Sequence, residues 1–135
     1  MVLSVTYASV NAPIKRANYK HITFARRSAA MLVTKPQYRL VTRSDFDGLV
    51  CAVLFKELGI IDDIKFVHPK DMQDGKIDIG PRDITTNLPY VPGAHLAFDH
   101  HTSEALRNMG VNGDHYIIDS EAPSAARVVY EYYGG

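Results

Sequence analysis

Two short stretches hold most of the side chains able to do chemistry. "SDFDG" (44–48) places Asp45 and Asp47 before a glycine, and "AFDHH" (97–101) ends an apolar run in Asp99, His100 and His101. Carboxylates brought close together repel one another, and a cation or a proton relieves the repulsion. Carboxylate oxygens with an imidazole suit Mn²⁺ or Mg²⁺, and the single cysteine, Cys51, leaves no thiolate set for structural zinc. Two such ions about 3.5–4 Å apart can acidify a shared water and clamp a phosphoryl group for in-line attack. Alone, Asp-x-Asp-Gly is a frequent turn sequence, and a lone histidine is more often structural than a ligand. Asp-His-His downstream of Asp-x-Asp-Gly is much more specific.

Those residues need elements to position them. "YRLVTR" (38–43) is β-prone, and "LVCAVLFKELGI" (49–60) carries Val50, Val53, Leu54 and Leu58 at helical spacing before Gly59, a natural stop. "IKFVH" (64–68) reads as a second strand, 70–83 as a polar connection, 84–93 as a short strand followed by turns, and 94–98 as a strand. A helix over 103–109, a strand over 115–119 and a helix over 122–133, with Pro123 near its first turn, complete the series. This alternation predicts an α/β fold: a parallel sheet with helices on both faces, built from right-handed βαβ units. Ligands bind such sheets outside the carboxyl ends of the strands. Asp45, Asp47, Asp99, His100 and His101 are therefore expected along one rim. Asp83 lies between them at a loop–strand boundary, and Asp119 closes the last strand.

At 135 residues the chain is most simply one domain, and one cysteine excludes an internal disulfide framework. No apolar run approaches the roughly 20 residues that span a bilayer, so no membrane partner is expected. A formal net charge of zero hides an asymmetry: residues 1–44 carry eight Lys or Arg and no acid, and residues 45–135 carry seven against fifteen Asp or Glu. An acidic half either self-repels or holds something positive. Residues 1–37 form no convincing element. They read as a disordered or wrongly assigned basic extension, as an organelle transit segment, or as a basic arm for nucleic acid. The expected location is cytoplasmic, with organelle import by the basic N-terminus as the alternative.

"VTRSDFDGLVCAV" and "AHLAFDHHTSE" resemble the first and third motifs of the DHH phosphoesterases, the superfamily of RecJ exonuclease, family II pyrophosphatases, nano-RNases and exopolyphosphatase-like proteins. "DITTNLPY" stands where the second motif belongs, and "HYIIDSEAPSAARVVYEYY" resembles the strand and Ser-containing helix that follow the third. The resemblance spans residues 38–135, which read as the N-terminal portion of a DHH phosphoesterase domain. It implies two Mn²⁺ or Mg²⁺ ions, with Asp45 and Asp47 as ligands of one ion each, Asp83 bridging both and His100 binding the second. It further implies that Asp99 orients an imidazole and that His101 stabilises charge on the phosphate, a hydroxide shared by the ions being the nucleophile. Gly48 would let the backbone approach the site. The implied substrate is a phosphoanhydride or phosphodiester: polyphosphate first, with a short oligonucleotide or nucleotide bisphosphate as the alternative. A homodimer is a further expectation.

Two departures from the family pattern stand out. Upstream of Asp45, where many members carry a histidine or aspartate, this chain has Val41, Arg43 and Ser44, and Arg43 reads as surface more readily than as a phosphate contact. The fourth motif and the small substrate-holding domain are also missing from these residues, so weak Mn²⁺ binding and slow or absent turnover are expected of the chain alone. A rival reading is a haloacid dehalogenase-type phosphatase, with Asp45 as nucleophile and Asp47 as acid/base. Leu49 stands where that pattern wants Thr, and the rival leaves Asp99-His100-His101 unexplained. A non-enzymatic reading is an inactive truncated fragment with an open sheet edge.

Overall fold

The computed structural model describes residues 37–111 and 113–135, so all but the last residue of the basic 1–37 segment lies outside the described residues. Five parallel strands form one sheet in the order β2-β1-β3-β4-β5. The chain runs β1 (Tyr38–Arg43), α1 (Phe46–Leu58), β2 (Ile61–Val67), α2 (Pro69–Gln73), β3 (Asp83–Thr86), β4 (Leu96–Asp99), α3 (Thr102–Arg107), β5 (Tyr116–Ile118) and α4 (Ala125–Tyr132). The expected α/β architecture is the one observed.

Local signals set the helix limits. Asp45 caps α1 by accepting from the Gly48 amide at 2.8 Å, and Gly59, with φ 66°, ends it by donating to the Lys56 carbonyl. Pro69 opens α2 behind a His68 cap, and the Ser124 hydroxyl caps α4 through the Arg127 amide. Strand alternation then divides the core. Leu40, Ile84, Leu96 and Phe98 face α1 and α4, where Phe55, Phe98 and Tyr133 pack with ring centroids 5.9–6.3 Å apart. Val41 faces the other side and packs with Val67, Met72 of α2 and Leu88. Cys51 is fully buried on the first face, and desolvation pushes its thiol up to about 12. It is a packing residue, uncharged at neutral pH.

Several boundaries shift: α1 begins at Phe46 instead of 49, and α4 at Ala125 instead of 122. The second strand begins at Ile61, because Asp62 and Asp63 belong to an exposed edge strand, and the polar 70–83 connection contains the short helix α2. Among the described residues no helix is long and apolar enough to cross a membrane.

At the amino ends of the strands His95 stacks on Tyr38, with centroids 4.2 Å apart, and its buried Nε2 has no partner. Burial holds this imidazole below its ordinary value of 6.5. The unfolded chain therefore takes up the proton first as pH falls, so the stability due to neutral His95 is complete above about 6.5 and declines below it. His95→Phe keeps the stack and should flatten the fall in urea midpoint between pH 7 and 5. An unchanged slope would contradict this assignment.

Candidate functional site at the carboxyl rim of the sheet

The order β2-β1-β3 reverses the direction of strand addition at β1, and a crevice opens where the chain leaves β1 and β3 in opposite directions. Asp45 follows β1 and Asn87 follows β3, and their side chains meet across this switch point. The Asn87 amide donates to both Asp45 carboxylate oxygens at 3.1 Å. The Arg43 guanidinium, its side chain 41% exposed, adds a surface ion pair to Asp45 at 2.9 Å.

Asp47 sits in the first turn of α1 and reaches α4. Its two oxygens accept from the Ala125 and Ala126 amides, each at 2.9 Å. The negative charge thus meets the positive end of α4, and the bonds tie the first and last helices together. His100 Nε2 lies 3.7 Å from Asp47 Oδ2, which links this pair to the residues after β4.

Asp99 closes β4 and is 2% exposed. Its Oδ1 accepts from the backbone amide and from the Nδ1 of His101, the latter at 2.7 Å, and from the His100 amide at 2.8 Å. These bonds occupy Nδ1 of His101 and leave Nε2 as the ring nitrogen for another partner. The two imidazoles lie 4.3 Å apart, and Asp99, His100 and His101 each bring a ligand atom within 4.8 Å of one another. Two acceptors in this region, Asp99 Oδ2 and Asn87 Oδ1, are buried without a hydrogen-bond partner. Unpaired buried acceptors are costly. A hard cation satisfies oxygen atoms of this kind, so the donor set fits Mn²⁺ or Mg²⁺.

Asp83 does not join this group. It begins β3, in register with Arg39 near the start of β1, and binds both Arg39 Nε at 2.7 Å and Nη2 at 2.9 Å. The Gly80 amide also donates to it, so this buried carboxylate clamps the 78–83 loop to the opposite end of the sheet. Four residues of extended chain separate it from Asn87, about 13 Å at the rise of a strand. The bridging position expected of Asp83 is therefore corrected, and the β3 residue at the rim is Asn87. Asp119 accepts from the Glu121 amide in the turn after β5, in keeping with a structural role.

Gly48, expected to allow a close backbone approach, is not in a left-handed conformation, whereas Asn87 is, with φ 56°. Asn tolerates this left-handed region better than most residues. The signal in the sequence was a polar turn-former directly after the β-prone "ITT" and before Leu-Pro.

Comparison with known proteins adds a likeness among solved structures. Neither the protein-family models nor the curated proteins give a match. Among solved structures, the pGpG-specific phosphodiesterase PggH from Vibrio cholerae matches with a TM-score of 0.64 and 66% sequence identity, over 73% of this chain. That protein is a phosphodiesterase. The match covers 30% of its length, so the present chain corresponds to under a third of it.

Proposed function

We propose that this chain carries the metal-binding rim of a DHH-type phosphoesterase that hydrolyses a phosphodiester in a short nucleotide. The observation that carries the proposal is the convergence of Asp47, Asp99, His100 and His101 beside two unpartnered buried oxygens. The likeness to a pGpG-specific phosphodiesterase favours a dinucleotide over polyphosphate, which the sequence resemblance had put first.

Asp45, Asp47 and His100 are the proposed protein ligands, with Asn87 Oδ1 in the place first given to Asp83. A divalent cation held by these residues would supply positive charge near the phosphate oxygens and lower the pKa of a water. Asp99 fixes the His101 ring through Nδ1, as partners of functional imidazoles do. His101 Nε2 then faces the charge that grows on the phosphate oxygens. The Asn87 amide and Arg43 hold Asp45 in a single orientation. A nucleophilic Asp45 would leave the clustered Asp99, His100 and His101 without a role.

The test is Mn²⁺-dependent hydrolysis of pGpG, polyphosphate and bis-p-nitrophenyl phosphate by the wild type, His100→Ala and the exposed control Lys65→Ala. The expected result is slow turnover of pGpG, as expected of this chain alone, that falls to background in His100→Ala and persists in Lys65→Ala. Equal activity in all three proteins would remove the proposal. Asp47→Ala is a poor probe of the chemistry, because it also strips the Ala125 and Ala126 amides of their acceptors.

A further inference from the structure

Two clefts open beside the rim on the α2 side of the sheet. The first, of about 160 Å³, is lined by Arg43, Asn87, Asp99, His101, Ser103 and Arg107, among others. The second, of about 470 Å³, has Met72, Pro89, Tyr90 and Val91 in its wall. Gln73, Pro89 and Arg107 line both, so the two clefts adjoin. The larger lies within the roughly 300–1,000 Å³ usual for small-molecule sites.

Their chemistry differs along the path. The first cleft brings two guanidinium groups and a hydroxyl next to Asp99 and His101. Each arginine is held by an acid: Arg43 by Asp45, and Arg107 by the buried Glu104. A guanidinium has five N–H donors in a planar fork, so a cation anchored in this way still has donors for an anion. Glu104 also accepts from the Tyr90 amide at 3.2 Å, which fixes the loop carrying Tyr90 to α3. The Tyr90 ring packs on Tyr116 at 4.7 Å between centroids, and its hydroxyl pairs with His115 Nε2 at 3.0 Å. The second cleft thus has a braced aromatic and apolar wall. A chain of phosphates alone gains nothing from such a wall, whereas a nucleobase could bury a face against it.

We propose that the adjoining clefts form a nucleoside monophosphate subsite, the phosphate lying between Arg43, Arg107 and Ser103 and the base lying against Pro89, Tyr90 and Val91. This inference rests on the phosphoesterase reading and deepens it: these residues would select a nucleotide over polyphosphate within the described part of the chain.

The test measures binding of guanosine 5′-monophosphate, guanosine and inorganic phosphate by titration calorimetry without added metal, so that it is independent of turnover. The nucleotide is expected to bind at least about tenfold more tightly than either half, since base stacking and phosphate pairing act together. Gln73→Glu places a negative charge on an exposed residue shared by both clefts and should weaken nucleotide binding about tenfold without moving the melting temperature. Arg107→Gln should weaken it likewise, with phosphate affinity also reduced. Nucleotide affinity no better than that of inorganic phosphate, or unaltered by Gln73→Glu, overturns the subsite. Tight nucleotide binding without any pGpG hydrolysis would uphold the subsite and count against the catalytic reading alone.

Discussion

Gly48→Ala is expected to cost about 3 kcal/mol or more, the upper range for forcing an added carbon into a close-packed site. A Cβ at position 48 would lie 2.0 Å from the Arg43 carbonyl oxygen and 2.7 Å from Thr42 Oγ1. The carbonyl is backbone and cannot swing aside. The Thr42 hydroxyl is held in turn by Thr86, their oxygens being 2.7 Å apart. The first turn of α1 would have to lift from β1, carrying Asp45 and Asp47 with it. For a domain of this size, 1 kcal/mol corresponds to about 4–8 °C, so the melting temperature should fall by about 12 °C or more. Thermal unfolding followed by circular dichroism measures this directly. A drop of under about 4 °C would show that α1 tolerates the added carbon and that the glycine serves some other end.

Asp99→Asn should separate chemistry from folding more cleanly. The amide is nearly the same size and can keep one oxygen toward the His100 and His101 backbone amides. It loses the charge that holds the His101 ring, and it puts an NH₂ group where an unpartnered oxygen now stands. Losing the partner that orients a functional imidazole typically costs 10–100-fold in activity. pGpG hydrolysis should fall by at least about tenfold, while Mn²⁺ affinity by calorimetry changes less, because neither Asp99 nor His101 is a proposed ligand. Wild-type turnover would mean that Asp99 merely closes the strand.

Much of the architecture was legible because apolar side chains repeat at strand and helix periods. "LVCAVLFKEL" reads as a helix and "HLAFD" as a strand ending in an acid, so the rim position of Asp99, His100 and His101 followed from pattern alone. Helix α2 was hidden because "PKDMQ" has five residues and buries only Met72. The placement of Asp83 failed for a different reason. The residue's place just before the strand that starts at 84 already put it at the end opposite the rim, and its bridging role came from the family resemblance alone. The carboxylate found its partner in Arg39, a residue 44 positions away that no local pattern announces. Asn87 escaped notice because a search for negative charge passes over a neutral amide. Its role at the switch point depends on β3 lying beside β1, which is a fact of topology.

The parallel arrangement of every strand pair also governs the order in which the molecule can assemble. No two neighbours are joined by a tight hairpin, and the paired positions lie from about a dozen to more than forty residues apart along the chain. Such distant pairings must pay for loop closure before they gain stability, which makes folding slow. The segments after β1, β3 and β4 come together only once those three strands are in register. Competence to bind a ligand therefore arrives late, with the last of the three.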